Sequence, residues 1–190
     1  MTSEVEISRA EISDLDGAEA LYDEVCGYLA DKPYNPGWRK GCFPTRENAR
    51  YFIENEAMYV ARIDGEIVGS VSLTYNPSAD IDQQSGDNEA EQRDILYLHI
   101  FAVHPDRHRS GIGSKLLEFA DAYAGKAHVK YLRLYVWEHN SVAIRAYEKN
   151  GYRCIGREDI GLGEFGLDWF RLYERRVGDK TTCIPSAYRI

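Results

Sequence analysis

The chain has 190 residues, enough for one domain with a sizeable core, and its 44 % hydrophobic and 28 % charged content argues against global disorder. Its formal net charge of −8 disfavours a general binder of nucleic acid or anionic membrane, because both need broad positive surface. The four cysteines (Cys26, Cys42, Cys154, Cys183) are scattered, with no CxxC and no zinc-type spacing, so free thiols, no metal and a reduced cytoplasm are expected.

The polar, acidic start MTSEVEISRAEISD lacks the apolar core of a signal peptide, and no apolar run approaches membrane-span length, so no membrane role is expected. Glu4–Ala10 alternates Val5 and Ile7 and reads as a strand. Ser13 or Asp14 can cap a helix to about Leu29, with Leu15, Ala18, Leu21, Tyr22 and Val25 on one stripe. The Pro-, Gly- and aromatic-rich Lys32–Thr45 is a loop. Thr45 and Asn48 then start a helix to about Asn55 that faces Ala49, Phe52 and Ile53 inward. Met58–Ile63 and Glu66–Tyr75 flank Asp64-Gly65, a strong hairpin signal. Asn76–Asp94 is polar, acidic and aperiodic, and reads as an exposed mobile loop.

Ile95–Val103 is apolar almost throughout, as in a strand covered on both faces. A helix follows from Ser114, with Leu116, Leu117, Ala120, Tyr123 and Ala124 at helical spacing. Tyr131–Val136 is a second buried strand. Asn140–Asn150 is a helix capped by Asn140 or Ser141 and stopped by Gly151. Tyr152–Arg157 and Leu167–Arg175 read as closing strands. No repeats occur, so residues 1–177 read as a single domain and 178–190 as a polar tail. Strand and helix alternate in the second half, which implies a mixed α/β sheet with helices on its faces.

Between the apolar strand and its helix lies HPDRHRSGIG, His104–Gly113. A helix N-terminus leaves amides unpaired and carries partial positive charge, so a phosphate is stabilised there twice. Gly111 and Gly113 permit close approach to the backbone, and Arg107 and Arg109 add full charge. The absence of GK[ST] argues against a nucleoside triphosphate site, and the missing third glycine of GxGxxG weakens a dinucleotide one. Taken alone, the turn fits an anion cradle or a solvated helix entry equally well.

LHIFAVHP, then RHRSGIGSKLL, then LRLYVWEHNSVAIRAYEKNGY, is a succession that resembles the GNAT acetyltransferase superfamily over Leu98–Arg157. PGWRKGCFPT and GLGEFGLDWFRLYE add likeness to a bacterial subgroup of that family. The resemblance implies a GNAT fold in the α/β (α+β) class. Its mixed sheet would have six to seven strands, splayed between the fourth and fifth and flanked by about four helices. It also implies acetyl-coenzyme A as donor, a primary amine of a small molecule or protein as acceptor, and direct attack in a ternary complex. Donor-binding positions would be Phe101, Ala102, Val103, His108, Arg109, Ser110, Gly111, Ile112, Gly113, Ser114, Asn140 and Tyr147. His108 stands where the family has Gln or Arg, Arg109 where many members have Gly, and Ser110 where Lys or Arg is common. Homodimers are common in the family, and nothing in this sequence specifies an interface.

Tyr147 matches the family tyrosine that gives a proton to the departing sulfur, and a phenol with a reference pKa of about 10 suits that task. Plain packing beside Ala143 and Ile144 is the bland alternative. Asn140, seven residues earlier and on the same helix face, would bond the pantetheine arm or simply cap its helix. The Phe101 N–H is the expected oxyanion donor. His99 is the expected base, in a position where many members carry Glu. Strand alternation puts His99, Phe101 and Val103 on one face, turned into the same cleft. Tyr34, Trp38 and Phe43 with Phe165 and Trp169 could wall an acceptor, although packing accounts for most of them. The competing function is a non-catalytic acyl-CoA sensor on the same fold, which would not need Tyr147 or His99.

Overall fold

The computed structural model describes residues 4–76 and 93–179, so most of the expected loop at Asn76–Asp94 and of the tail at Gly178–Ile190 lies outside the described residues. The strands are β1 (Glu6–Arg9), β2 (Met58–Ile63), β3 (Glu66–Thr74), β4 (Ile95–Val103), β5 (Tyr131–Trp137), β6 (Arg153–Glu158) and β7 (Phe170–Arg176). The α-helices are α1 (Leu15–Leu29), α2 (Arg46–Glu54), α3 (Ile112–Lys126) and α4 (Ser141–Lys149).

Local chemistry explains most of these boundaries. The Thr45 hydroxyl accepts the Asn48 N–H at 3.4 Å while the Asn48 side-chain oxygen Oδ1 accepts the Thr45 N–H at 2.9 Å, a reciprocal cap that starts α2. Asp64 (φ 52°) and Gly65 (φ 85°) turn β2 into β3 with two consecutive left-handed residues, as a two-residue hairpin requires. Asp14 departs from its expected role. Its carboxylate accepts the Glu11 N–H at 2.8 Å and so closes the short turn ahead of α1, and makes no side-chain bond to α1 itself. Helix α3 begins at Ile112 rather than Ser114, so Gly113 lies inside its first turn.

The sheet runs β1-β2-β3-β4-β5-β7-β6, antiparallel except for the β4–β5 pair. One core, on the α3 and α4 face, gathers Leu116, Leu117, Ala120, Ile144 and Tyr147 against Leu96, Leu98, Leu132 and Leu134. The other, under α1 and α2, gathers Leu21, Tyr22, Phe52 and Ile53 against Met58, Val60, Ile100 and Ala102. A fully buried side chain such as Phe52 contributes about 1.5–3 kcal/mol through lost water contact. Strand β5 does not run between two layers as the sequence suggested. Leu132, Leu134 and Val136 are buried, while Tyr131, Arg133, Tyr135 and Trp137 are only half-buried on the opposite face.

Two irregularities in β4 create the site. Its pairing with β5 covers only Ile95–Tyr97 against Tyr131–Arg133, although both strands continue, so a split opens from Leu98 onward. Against β3, Ser70 faces Ala102 and Ser72 faces His99, which leaves one extra residue on β4: a bulge. Ile100 sits there at φ 42°, a left-handed conformation that costs a β-branched residue about 1–3 kcal/mol.

Candidate active site

The turn between β4 and α3 is an array of unpaired amides. A short helical turn at Pro105–Arg107 follows β4, Arg109 adopts φ 65° and Gly111 φ 86°, and α3 then begins. Among the described residues, the N–H groups of Arg109, Gly111, Ile112, Gly113 and Ser114 have no hydrogen-bond acceptor. Five donors at a helix N-terminus form a site for the oxygens of a phosphate. The side chains of Arg107 and Arg109 are exposed and, among the described residues, form no ion pair.

Two residues of the loop serve the loop itself. The Ser110 hydroxyl and N–H both donate to the Arg107 carbonyl, so Ser110 braces the turn. His108 turns back to the strand. Its Nε2 lies 3.3 Å from the Val103 carbonyl, an acceptor only, so Nε2 carries the hydrogen and donates. The same ring meets Tyr28 of α1 edge-on at 5.0 Å. The place of a long polar side chain is thus taken by a latch that ties the loop to β4 and α1.

In the split, backbone direction can be read from pairing. The His104 N–H donates to the Val68 carbonyl at 2.9 Å, so Ala102 and His104 address β3. Alternation then turns the N–H and C=O groups of Phe101 and Val103 toward the open side. Gly113 lies behind them: a Cβ there would stand 3.6 Å from the Phe101 ring and 3.7 Å from Val103 Cγ2. Ala102, expected among the donor-binding residues, is buried under α1 and α2 with its backbone toward β3.

The expectation that His99, Phe101 and Val103 share a face does not hold. The bulge at Ile100 shifts the alternation by one residue. Leu98, Phe101 and Val103 therefore belong to the α3 and α4 side, whereas Ile100 and Ala102 belong to the other core. His99 stacks on Phe52 of α2 at 5.8 Å, on the side away from Phe101. Its Nε2 lies 3.0 Å from the Thr74 hydroxyl and 3.1 Å from the Asn76 carbonyl. The carbonyl can only accept, and the Thr74 hydroxyl already donates to it at 2.8 Å. Nε2 therefore carries the hydrogen in neutral His99, and the ring's lone pair is on Nδ1. No motif announces Thr74 or Asn76 as partners, since they lie more than twenty residues away and reach His99 only through strand pairing.

Tyr147 on α4 is 7 % exposed, with its ring 5.9 Å from Phe101 and 5.8 Å from Tyr152. Burial pushes its phenol above the usual value, so it stays protonated well into the alkaline range. No group among the described residues hydrogen-bonds its hydroxyl. Asn140 caps α4, its side-chain oxygen accepting the Ala143 N–H at 3.2 Å, which leaves the amide nitrogen as a donor toward a ligand. Trp38 and Phe43 meet each other at 6.3 Å and Trp169 carries Arg157 at 4.0 Å, but among the described residues no ring contact joins the two groups. The two loops do touch where Leu167 packs on Gly37. No group of His, Cys, Asp and Glu suited to a metal occurs among the described residues, and none of their helices is long and apolar enough to cross a membrane.

Comparison with known proteins agrees with this geometry. The model of the acetyltransferase (GNAT) family matches residues 22–152. An uncharacterized N-acetyltransferase of Archaeoglobus fulgidus is 31 % identical over 154 residues, covering 78 % of this chain and 93 % of the relative. The crystal structure of a GNAT-family acetyltransferase from Streptococcus pneumoniae superposes with a TM-score of 0.68 at 23 % identity, covering 92 % of this chain and all of that one. A Salmonella typhimurium structure that contains acetyl-CoA, described as that of a putative acetyltransferase, superposes at 0.67 with 18 % identity, covering 98 % of this chain and 100 % of that one.

Proposed function

The chain belongs to the acetyltransferase (GNAT) family, and from that premise we propose that it moves an acetyl group from acetyl-coenzyme A to a primary amine, both substrates being bound together. The observation that carries this reading is the array of five unpaired amides at the start of α3, beside the open backbone of Phe101 and Val103. A pyrophosphate fits the first and an extended amide-bearing arm fits the second. Asn140 adds a donor from α4.

The amine nitrogen attacks the thioester carbonyl, and the Phe101 N–H stabilises the negative charge that develops on its oxygen. His99 takes the ammonium proton on Nδ1, with Thr74 and Asn76 holding the ring by Nε2. The carbon–sulfur bond breaks as Tyr147 passes its proton to the leaving sulfur, and the phenol regains a proton from solvent. The bulge supports this division of labour: His99 stacks on Phe52 of α2, whereas the side chains of Phe101 and Val103 pack on the α3 and α4 side of the sheet.

Calorimetry with acetyl-CoA, ATP and NAD tests the donor: only acetyl-CoA should bind, and its failure to bind would sink the reading. Amine-dependent release of coenzyme A thiol tests transfer. His99→Ala should lower kcat/KM by about a hundredfold, and an unchanged kcat/KM across pH would remove His99 from the mechanism.

A further inference from the structure

The face of β5, β7 and β6 turned away from α3 and α4 contains an aromatic floor beside a carboxylate, Glu158. Pairing sets its rows. Trp137 lies beside Phe170, which lies beside Glu158, and Tyr135 lies beside Leu172, which lies beside Gly156. Tyr97 of β4 joins the floor across the base of the split, its ring parallel to that of Tyr135 at 6.5 Å. Tyr135 stands two residues beyond the last β4–β5 pair and His99 two residues beyond its counterpart, so the two positions flank the start of the split.

Most charges on and around this face are neutralised internally. Arg133 pairs with Glu174 at 2.8 Å, and Arg157 binds Glu138 through two bonds of 2.8 Å. Arg153 stands at the far end of β6. Glu158 differs: its carboxylate accepts the Tyr135 hydroxyl at 3.0 Å and, among the described residues, has no cation within ion-pair distance. A carboxylate held in place by a phenol, over aromatic rings, attracts an alkylammonium group both by charge and by the ring faces.

We propose that this face is the acceptor subsite and that Tyr135 and Glu158 select an acceptor carrying a second positive charge roughly 10–15 Å from the amine that reacts, since between two and three strand spacings separate the β4–β5 split from β6. The proposal rests on the acetyl-transfer reading for the position of the reacting amine. An extended free diamine and a lysine side chain followed by another cation share this chemistry.

The test compares 1,8-diaminooctane, 1,3-diaminopropane, octylamine and a dibasic lysine peptide in coenzyme A release, for the wild type and Glu158→Gln. The wild type should prefer the long diamine or the peptide over octylamine by at least tenfold in kcat/KM, and Glu158→Gln should reduce that ratio at least tenfold. Whichever of the two is preferred identifies the source of the dication. Calorimetry of the long diamine in the presence of acetyl-CoA gives a readout independent of turnover. Equal diamine affinity in both proteins, or a selectivity ratio unmoved by the substitution, overturns the proposal even if acetyl transfer is intact. Glu158-dependent diamine binding without turnover supports the subsite and counts against the acetyl-transfer reading.

Discussion

Strands β3 and β4 lie between two layers of helices, whereas β5 buries alternate residues and β6 is exposed along most of its length. Within the sheet, three residue pairs of β4 and β5 join the two halves, and the α3 and α4 core spans both. The thick half supplies what needs rigidity without variety: a strained bulge, an open strand edge and the amide-lined turn. The thin half presents side chains, Tyr135, Trp137 and Glu158, on a face that packing does not dictate. Its stability must come from ties to the helices beside it. One such tie is Arg175, 7 % exposed, whose guanidinium donates to the Asn150 carbonyl at the end of α4, to the Asp179 carbonyl at 2.9 Å, and lies 3.3 Å from the Asp121 carboxylate of α3. Another is the Tyr173 hydroxyl, which donates to Glu148 at 2.8 Å.

If the thin half depends on these ties, Arg175→Met should be the most damaging change. Removing one partner of a buried ionic network costs about 3–5 kcal/mol, and Tm should fall by about 10 °C. A fall below about 2 °C would show that α4 is anchored otherwise. Tyr147→Phe should come next, and in rate rather than stability. Loss of the acid should lower kcat by about a hundredfold with acetyl-CoA affinity nearly unchanged, since no group among the described residues bonds the hydroxyl. A full kcat would return Tyr147 to plain packing.

In the thick half, Gly111→Val forces a left-handed β-branched residue at a cost of about 1–2 kcal/mol, so acetyl-CoA affinity should weaken about tenfold. His108→Ala removes only the latch on Val103 and Tyr28 and should weaken binding by roughly threefold, the scale of one modest hydrogen bond. The reverse ranking in calorimetry would show that the His108 ring, not the backbone, holds the phosphates. The smallest effect is one of pH. Burial raises the phenols of Tyr147 and Tyr152 in the folded chain. Below pH of about 10 both states keep these protons and stability is flat; above it the unfolded chain releases protons that the native one retains, so stability falls as pH rises. Replacing both by Phe should blunt that alkaline loss in denaturant titrations.

Much of this was legible locally. The Asp64-Gly65 turn, the Thr45–Asn48 cap, the buried stripe of α1 and the Gly151 stop follow from rules that act within a few residues, and they appear where those rules put them. The order of motifs in Leu98–Arg157 was equally readable, because strand, glycine turn and helix must be consecutive to make the cradle. What escaped was non-local. Nothing in Phe170–Arg176 says that it inserts between β5 and β6. Nothing in ILYLHIFAV says that Ile100 breaks the alternation, since an apolar run covered on both faces looks the same with or without a bulge. The expectation for His99 failed on that point alone.

The sequence by itself therefore determined most of the elements and the glycine turn ahead of α3, because propensity, capping and glycine conformation are properties of short segments. Only the tertiary structure decided where the side chains look. The face of the sheet that His99 occupies, its Nε2 contacts with Thr74 and Asn76, and the bond from Tyr135 to Glu158 depend on the register of strands far apart in the chain, and register is fixed by packing the whole sheet at once.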